Sequence, residues 1–304
     1  MGDHRTVVAG VDGATTSSAT VGLAVAEAVR RSARLRIVHV WPGRYRGRFR
    51  IADAHRGVAE GRRLLALAAR HAAGLDPTLV IETELRAGVA AEALADSSRD
   101  AGLLVIGHRD GQLSRSDWGS TARGLAQACA CPLLVHRGRT GMRGPIVVGV
   151  SGRDTEPALG YAFVQAALAG ADLVAVRAWH RSPSRRDERP FPVGGDAGER
   201  RAVTESLAAA LVVWSCRLPQ VTVEPLVVPE VEVPYTLARA SRRGRLLVAG
   251  TGGRGELTEL IRGPAGQPGS HDRLCPVLLV PPQWPVELAA APGLGTLPAR
   301  SPAM

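Results

Sequence analysis

Three stretches of this 304-residue chain have residue types and spacing suited to holding an anionic, polar ligand. Gly250-Thr251-Gly252-Gly253 is followed, nine residues later, by Gly263, a Gly-x2-Gly-x9-Gly pattern. The early glycines let backbone approach a phosphate, and the last glycine opens a helix whose unpaired N–H groups and positive dipole end attract negative charge. The earlier stretch Gly107-His108-Arg109-Asp110-Gly111 leads to Gly119-Ser120-Thr121 in a similar way. Near the N-terminus an apolar run ends in Asp12-Gly13-Ala14. A carboxylate there can accept hydrogen bonds from a base amino group or a ribose hydroxyl, or it can cap the helix that follows. The residues alone weigh these two roles evenly.

Positioning such loops requires strands that end beside them, and the chain supplies them twice. Val7-Val8-Ala9-Gly10-Val11-Asp12-Gly13 returns 139 positions on as Ile146-Val147-Val148-Gly149-Val150-Ser151-Gly152. Leu35–Trp41 returns as Leu173–Trp179 at an offset of 138, Leu104–Gly107 as Leu247–Gly250 at 143, and Cys131-Pro132 as Cys275-Pro276 at 144. Four landmarks in one order identify an internal duplication. Each copy reads as five strands alternating with four helices. In the first copy the strands are expected near 6–11, 35–40, 79–85, 103–106 and 132–136, with helices over 17–31, 57–73, 88–99 and 120–129. Alternation of this kind predicts an α/β fold, a parallel sheet with helices on both faces. In such a sheet, ligands sit beyond the carboxyl ends of the strands where strand order reverses. The expected domains are 1–138 and 145–282, with a Pro/Ala-rich disordered tail over 283–304 and a polar mobile loop over Ser182 to Gly198.

Composition fits two globular cores: 45% of residues are apolar and 22% charged. With aromatics at 4%, the cores must be built from Val, Leu, Ile and Ala. The net charge is +10, and all 38 basic residues are arginine. That excess reads as coding preference of arginine over lysine more than as a nucleic-acid footprint. No apolar run reaches the roughly 18 residues that would span a bilayer, and the N-terminus runs straight into a strand, so a cytoplasmic location is expected. Four sparse cysteines fit a reducing compartment. Cys129-Ala130-Cys131 reads as small residues at a helix–strand junction rather than as a metal or redox pair, and the histidines form no spaced metal set.

With these features in place, the chain resembles a tandem universal stress protein, over residues 5–136 and 145–281. The motifs that carry the resemblance are the Gly-x2-Gly-x9-Gly loop after strand four, the Asp after strand one, the small apolar residue ending strand two at Val40, and the Cys-Pro before the last strand. The resemblance implies doubly wound sheets of strand order 3-2-1-4-5, of the adenine-nucleotide alpha-hydrolase type. It also implies pairing of the two halves along strand five, and binding of ATP or a related adenine nucleotide, with Mg2+ as a companion ion. It leaves open whether the tandem chain forms a homodimer.

Both copies depart from the motif. The first has Asp110 where the second glycine belongs, with Gly111 beside it, but keeps Asp12 and Gly119-Ser120-Thr121. The second keeps Gly250, Gly253 and Gly263 but has Ser151 in place of the Asp, and Pro264 in place of the Ser or Thr. Proline removes both a hydroxyl and an N–H donor, so the second site is expected to be degraded. Nucleotide is therefore expected in the first copy. Asp12 and Val40 would hold base and ribose there, and Gly107, Gly111, Gly119, Ser120 and Thr121 would line the phosphates. No catalytic residue stands out, and the expected role is that of a stress-response sensor or regulator. The alternatives are an interaction or dimerisation module without nucleotide, a slow ATPase, and an RNA-binding protein using Arg44, Arg46, Arg48 and Arg50.

Overall fold

A computed structural model of the chain describes residues 5–14, 17–41, 51–107, 120–137, 143–150, 156–179, 195–229, 236, 243–251 and 275–286. The first half contains β1 (Thr6–Val11), α1 (Ser17–Arg30), β2 (Arg34–Trp41), α2 (Ile51–Leu75), β3 (Ile81–Ala87), α3 (Ala90–Ser97), β4 (Leu103–Gly107), α4 (Ser120–Ala128) and β5 (Leu133–His136). The second contains β6 (Ile146–Val150), α5 (Glu156–Ala169), β7 (Leu173–Trp179), α6 (Gly195–Arg217), β8 (Val223–Pro229), β9 (Leu246–Gly250) and β10 (Val277–Val280).

The strands form one sheet in the order β3-β2-β1-β4-β5-β10-β9-β6-β7-β8. Each half therefore has the order 3-2-1-4-5, with parallel pairing throughout. The halves meet at β5 and β10, which pair antiparallel with Val277 opposite Val135 and Leu279 opposite Leu133. The outer edges are β3, which carries Glu82, Glu84 and Arg86, and β8, which carries Glu224, Pro225 and Pro229. Charges and prolines on edge strands discourage pairing with another chain.

Nearly every central-strand residue is buried, because both sheet faces are covered. Strand periodicity divides them between two layers. Val7, Ala9, Val11, Leu35, Ile37, Leu103 and Val105 join α1, α2, α5 and α6 in one apolar core that runs across both halves. Val8, Val38, Leu104, Ile106, Leu133 and Val135 join α3 and α4 in the other.

Helix α1 buries Thr20, Val21, Ala24, Val25, Glu27 and Ala28, the stripe expected of a helix lying on a sheet. Helix α5 is enclosed on most sides: Ala158, Leu159, Tyr161, Ala162, Phe163, Val164, Gln165 and Ala166 are all buried. The two helices meet across the seam between the halves, where Arg31 Nη2 donates to the Tyr161 hydroxyl at 2.9 Å. Arg31 is also ion-paired with the buried Glu27, as is Arg30. Burial and the neighbouring Arg31 and Arg245 charges lower the Arg30 pKa.

Three boundaries differ from the sequence expectation. Helix α2 starts at Ile51, six residues before the expected 57. Ala52 and Ala54 favour helix, and no proline or glycine intervenes before Gly57. Helix α6 already covers Gly195 to Gly198, where the sequence predicts a loop. The prolines that suggested a loop stop at Pro192, and good helix formers follow Asp196. The expected tail begins with residues that belong to the fold: Trp284 N donates to the Pro281 carbonyl at 3.1 Å, and Trp284 and Val286 pack against the core. Residues 287–304 lie outside the described residues, as does the Arg44–Arg50 segment.

Candidate functional site

The strand order places a reversal between β1 and β4: the chain moves outward from β1 through β2 and β3, then returns to the other side of β1. The carboxyl ends of these strands form one rim. Gly10 lies opposite Ile106, and Val11 lies opposite His39. Beyond Val11, the exposed Asp12 accepts hydrogen bonds at Oδ1 from the Ala14 N–H at 2.9 Å and the Ser17 hydroxyl at 3.3 Å. These bonds close a side-chain turn that leads the chain toward α1, and Gly13, at φ +79°, takes the left-handed conformation in that turn.

The end of β2 adds a group that sequence reading passed over. His39 Nδ1 lies 2.8 Å from the Val11 carbonyl, tying the end of β2 to the end of β1. Its ring packs against Gly61 of α2, where a Cβ would lie 3.0 Å from His39 Cδ2. The signal available in the sequence was its place one residue before Val40. Val40 is half-buried, lies opposite Arg86 of β3, and packs on the α3/α4 side of the sheet. Arg86 Nη1 donates to the Ala93 carbonyl of α3 at 2.8 Å and its Nε donates to Glu84 at 2.7 Å. Trp41 packs over Gly57 of α2, which makes it a packing residue.

Gly107 ends β4 opposite His136 of β5. Helix α4 begins at Ser120 with the half-buried Thr121 next, and Ala122 and Leu125 anchor it in the core. The backbone therefore puts Asp12, Val40 and Gly107 at one rim, beyond the β1/β4 reversal. Gly111 and Gly119 lie outside the described residues, as does the Ser120 side chain.

In the second half, β6, β7 and β9 end at Val150, Trp179 and Gly250. Thr251 N donates to the Val280 carbonyl at 3.0 Å, continuing the ladder one residue past Gly250. Arg177 holds the place of His39 and reaches sideways to Ser206 of α6, with Nη1 donating to Oγ at 3.0 Å. Ser151, Gly253 and Gly263 lie outside the described residues. Among the described residues no cluster of His, Cys, Asp and Glu is arranged to hold a metal, and no helix is long and apolar enough to cross a membrane.

The universal stress protein family model matches residues 4–137 and again 142–281. A universal stress protein of Mycolicibacterium smegmatis is 28% identical over 296 residues, covering 91% of this chain and 97% of the relative. One from Mycobacterium tuberculosis is 29% identical over 291 residues, covering 90% and 96%. Among solved structures, a universal stress protein from Archaeoglobus fulgidus superposes with a TM-score of 0.64 at 12% identity, covering 92% of this chain and 99% of the other. That last likeness is one of fold.

Proposed function

This chain is a tandem member of the universal stress protein family, and from that premise we propose that its first half, residues 1–138, binds ATP or a related adenine nucleotide and acts as a non-catalytic regulator. The observation that carries the reading is the convergence of Asp12, Val40 and Gly107 on the β1/β4 reversal, with α4 starting at Ser120. The residues fit the ligand chemically. An exposed carboxylate can accept hydrogen bonds from base or sugar, and a glycine-ended strand lets backbone approach phosphate. The start of α4 offers N–H groups and dipole to an anion. Gly111, Gly119, Ser120 and Thr121 complete the proposed phosphate lining. The second half, residues 145–282, carries the degraded counterpart at Ser151, Gly250, Gly253 and Gly263. A bound nucleotide would supply a compact, mobile negative charge; the protein's own part is to orient it at the rim and to change its affinity for a partner protein when the rim is filled.

Calorimetric titration of the full chain with ATP and Mg2+ tests this. Asp12→Ala and Ser120→Ala should each weaken binding about 10- to 100-fold, from the loss of one charge-assisted contact. Asp12→Asn keeps the acceptor oxygen for the Ala14 and Ser17 bonds and separates loss of the ligand's charge contact from loss of the local turn. Binding that survives the first two substitutions but fails on Gly253→Asp would move the site to the second half. One observation favours a second reading, an interaction module without nucleotide: the Asp12 carboxylate is already engaged by the Ala14 N–H and the Ser17 hydroxyl. Absence of heat with ATP, together with no adenine nucleotide released on denaturation, would select it.

A further inference from the structure

Helix α4 ends at Ala128, and its last backbone bond runs from the Cys129 N–H to the Leu125 carbonyl at 2.9 Å. A bend at Ala130 and Cys131 then leads into β5. The bend brings the two sulfurs of Cys129-Ala130-Cys131 to 3.9 Å, van der Waals contact for sulfur. Residues two apart on straight strand would also share a side, but here the bend closes the gap. Ser98, buried beneath the turn, fixes the bend: its Oγ accepts from the Ala130 N–H at 2.8 Å and donates to the Ala95 carbonyl at 2.6 Å.

The two thiols occupy different surroundings. Cys129 is half-buried, while Cys131 is fully enclosed between α4 and the sheet. The Cys131 thiol, within hydrogen-bond reach, lowers the Cys129 pKa against the opposing effect of burial, whereas burial raises that of Cys131 well above an ordinary thiol. The repeat supplies an internal control. Cys275 matches Cys131 and is likewise buried, but the position matching Cys129 is Arg273. Packing at this junction explains the recurring cysteine before proline; it does not require the second one.

We propose that Cys129 and Cys131 form a thiol–disulfide site that reacts with hydroperoxides, Cys129 as the attacking sulfur and Cys131 as the resolving one. The Cys129 thiolate attacks one peroxide oxygen, the O–O bond breaks, and the other oxygen leaves as water or an alcohol after taking a proton. Cys129 is then a sulfenic acid. The Cys131 sulfur displaces its hydroxyl, which departs as water with the Cys131 proton, and an S–S bond remains. Two thiols are oxidised by two electrons in total, and the peroxide is reduced. An S–S bond of about 2.0 Å requires the sulfurs to close by roughly 2 Å, which rotation about the Cys129 side-chain bond can provide at an open helix end.

Peptide mapping of the full chain after exposure to hydrogen peroxide, followed by alkylation, tests the proposal without reference to nucleotide. Arginine cleavage yields Gly124–Arg137, which contains both sulfurs and no other cysteine. This peptide should lose two hydrogens, refuse alkylation, and regain both thiols on treatment with a dithiol. In Cys131→Ala, Cys129 should be trapped as its sulfenic acid by a 1,3-diketone. In Cys129→Ser, loss of the Cys131 thiol should slow about tenfold. Two alkylatable thiols in Gly124–Arg137, under conditions that oxidise the exposed Cys216, would overturn the site. Undiminished oxidation of Cys131 in Cys129→Ser would overturn the assignment of roles. Because the central result is read on the unaltered chain, it does not depend on either variant folding.

Discussion

The two halves share one backbone plan but hold it by different means, and three matched places show how. Helices α1 and α5 end alike, with a residue in the left-handed conformation and a six-to-one bond behind it, from Ala33 N to Ala28 O at 2.9 Å and from Ala171 N to Ala166 O at 3.0 Å. In the first half that residue is Ser32, at φ 50°; in the second it is Gly170, at φ 54°. Farther along, Gly22 of α1 faces Leu75 of α2, while its counterpart Gly160 of α5 faces Trp214 of α6. Finally, the turn after α2 is closed by Asp76, whose Oδ1 accepts from both the N–H and the hydroxyl of Thr78. In the matching turn after α6 the residue is a buried Leu218, whose carbonyl accepts from Val221 N at 3.1 Å, as the Asp76 carbonyl does from Leu79 N at 3.4 Å. Local polar bonds thus do in the first half what buried volume does in the second. The second half also packs Phe163 on Trp214, ring centroids 6.3 Å apart.

The helix contact offers the largest test. A Cβ at Gly160 would lie 2.1 Å from Trp214 Cζ2, and the buried, rigid indole has nowhere to go. Gly160→Ala should cost about 3 kcal/mol. At Gly22 the nearest atom is Leu75 Cδ1 at 3.8 Å, and Gly22→Ala should stabilise by about 0.5–1 kcal/mol through helix propensity. Urea midpoints of the two variants should move in opposite directions; movement in one direction would erase the contrast. Next come the helix ends. Ser32→Gly should stabilise by about 1 kcal/mol, because an L-residue is relieved of the left-handed conformation, and Gly170→Ser should cost a similar amount in thermal unfolding.

The turns give the smallest effect, and one that depends on pH. The Thr78 side-chain and backbone hydrogen bonds hold the Asp76 pKa below its ordinary value of 3.8. A lowered carboxylate pKa contributes stability that is present above the unfolded value and is lost as pH falls through the folded one. Thr78→Val should raise the Asp76 pKa toward 3.8, read from its carboxyl carbon shift by NMR titration. An unmoved titration would mean that Thr78 does not set it. The turn at Leu218 has no such acid-side dependence.

Much of this architecture was legible from residues. Val-, Leu- and Ile-rich runs at matched spacing gave the strands and their duplication, while the doubly wound order in each half came from the family resemblance. Boundaries were less legible where composition misleads: the Pro/Gly cluster before α6 hid its first turn, and the Pro-rich context of Trp284 concealed a side chain that the core recruits. At the rim, Asp12 and Gly107 could be named from their place at strand ends, and Val40 from the family resemblance. The His39 bond to the Val11 carbonyl could not, because it depends on β2 lying beside β1 and on α2 pressing the ring from above. The 3.9 Å sulfur contact was hidden for a related reason, since it depends on a bend anchored by Ser98, more than thirty residues earlier in the chain.

The antiparallel join of β5 to β10 also has a consequence for biosynthesis. Leu133-Leu134-Val135 leaves the ribosome well over a hundred residues before its partner Val277–Val280. Between those moments an apolar strand presents open N–H and C=O groups to whatever passes, the situation that invites edge-to-edge association. At ordinary elongation rates that interval lasts on the order of ten seconds. The same pairing that leaves the finished sheet without inner edges therefore makes every nascent copy carry one through most of the synthesis of its second half.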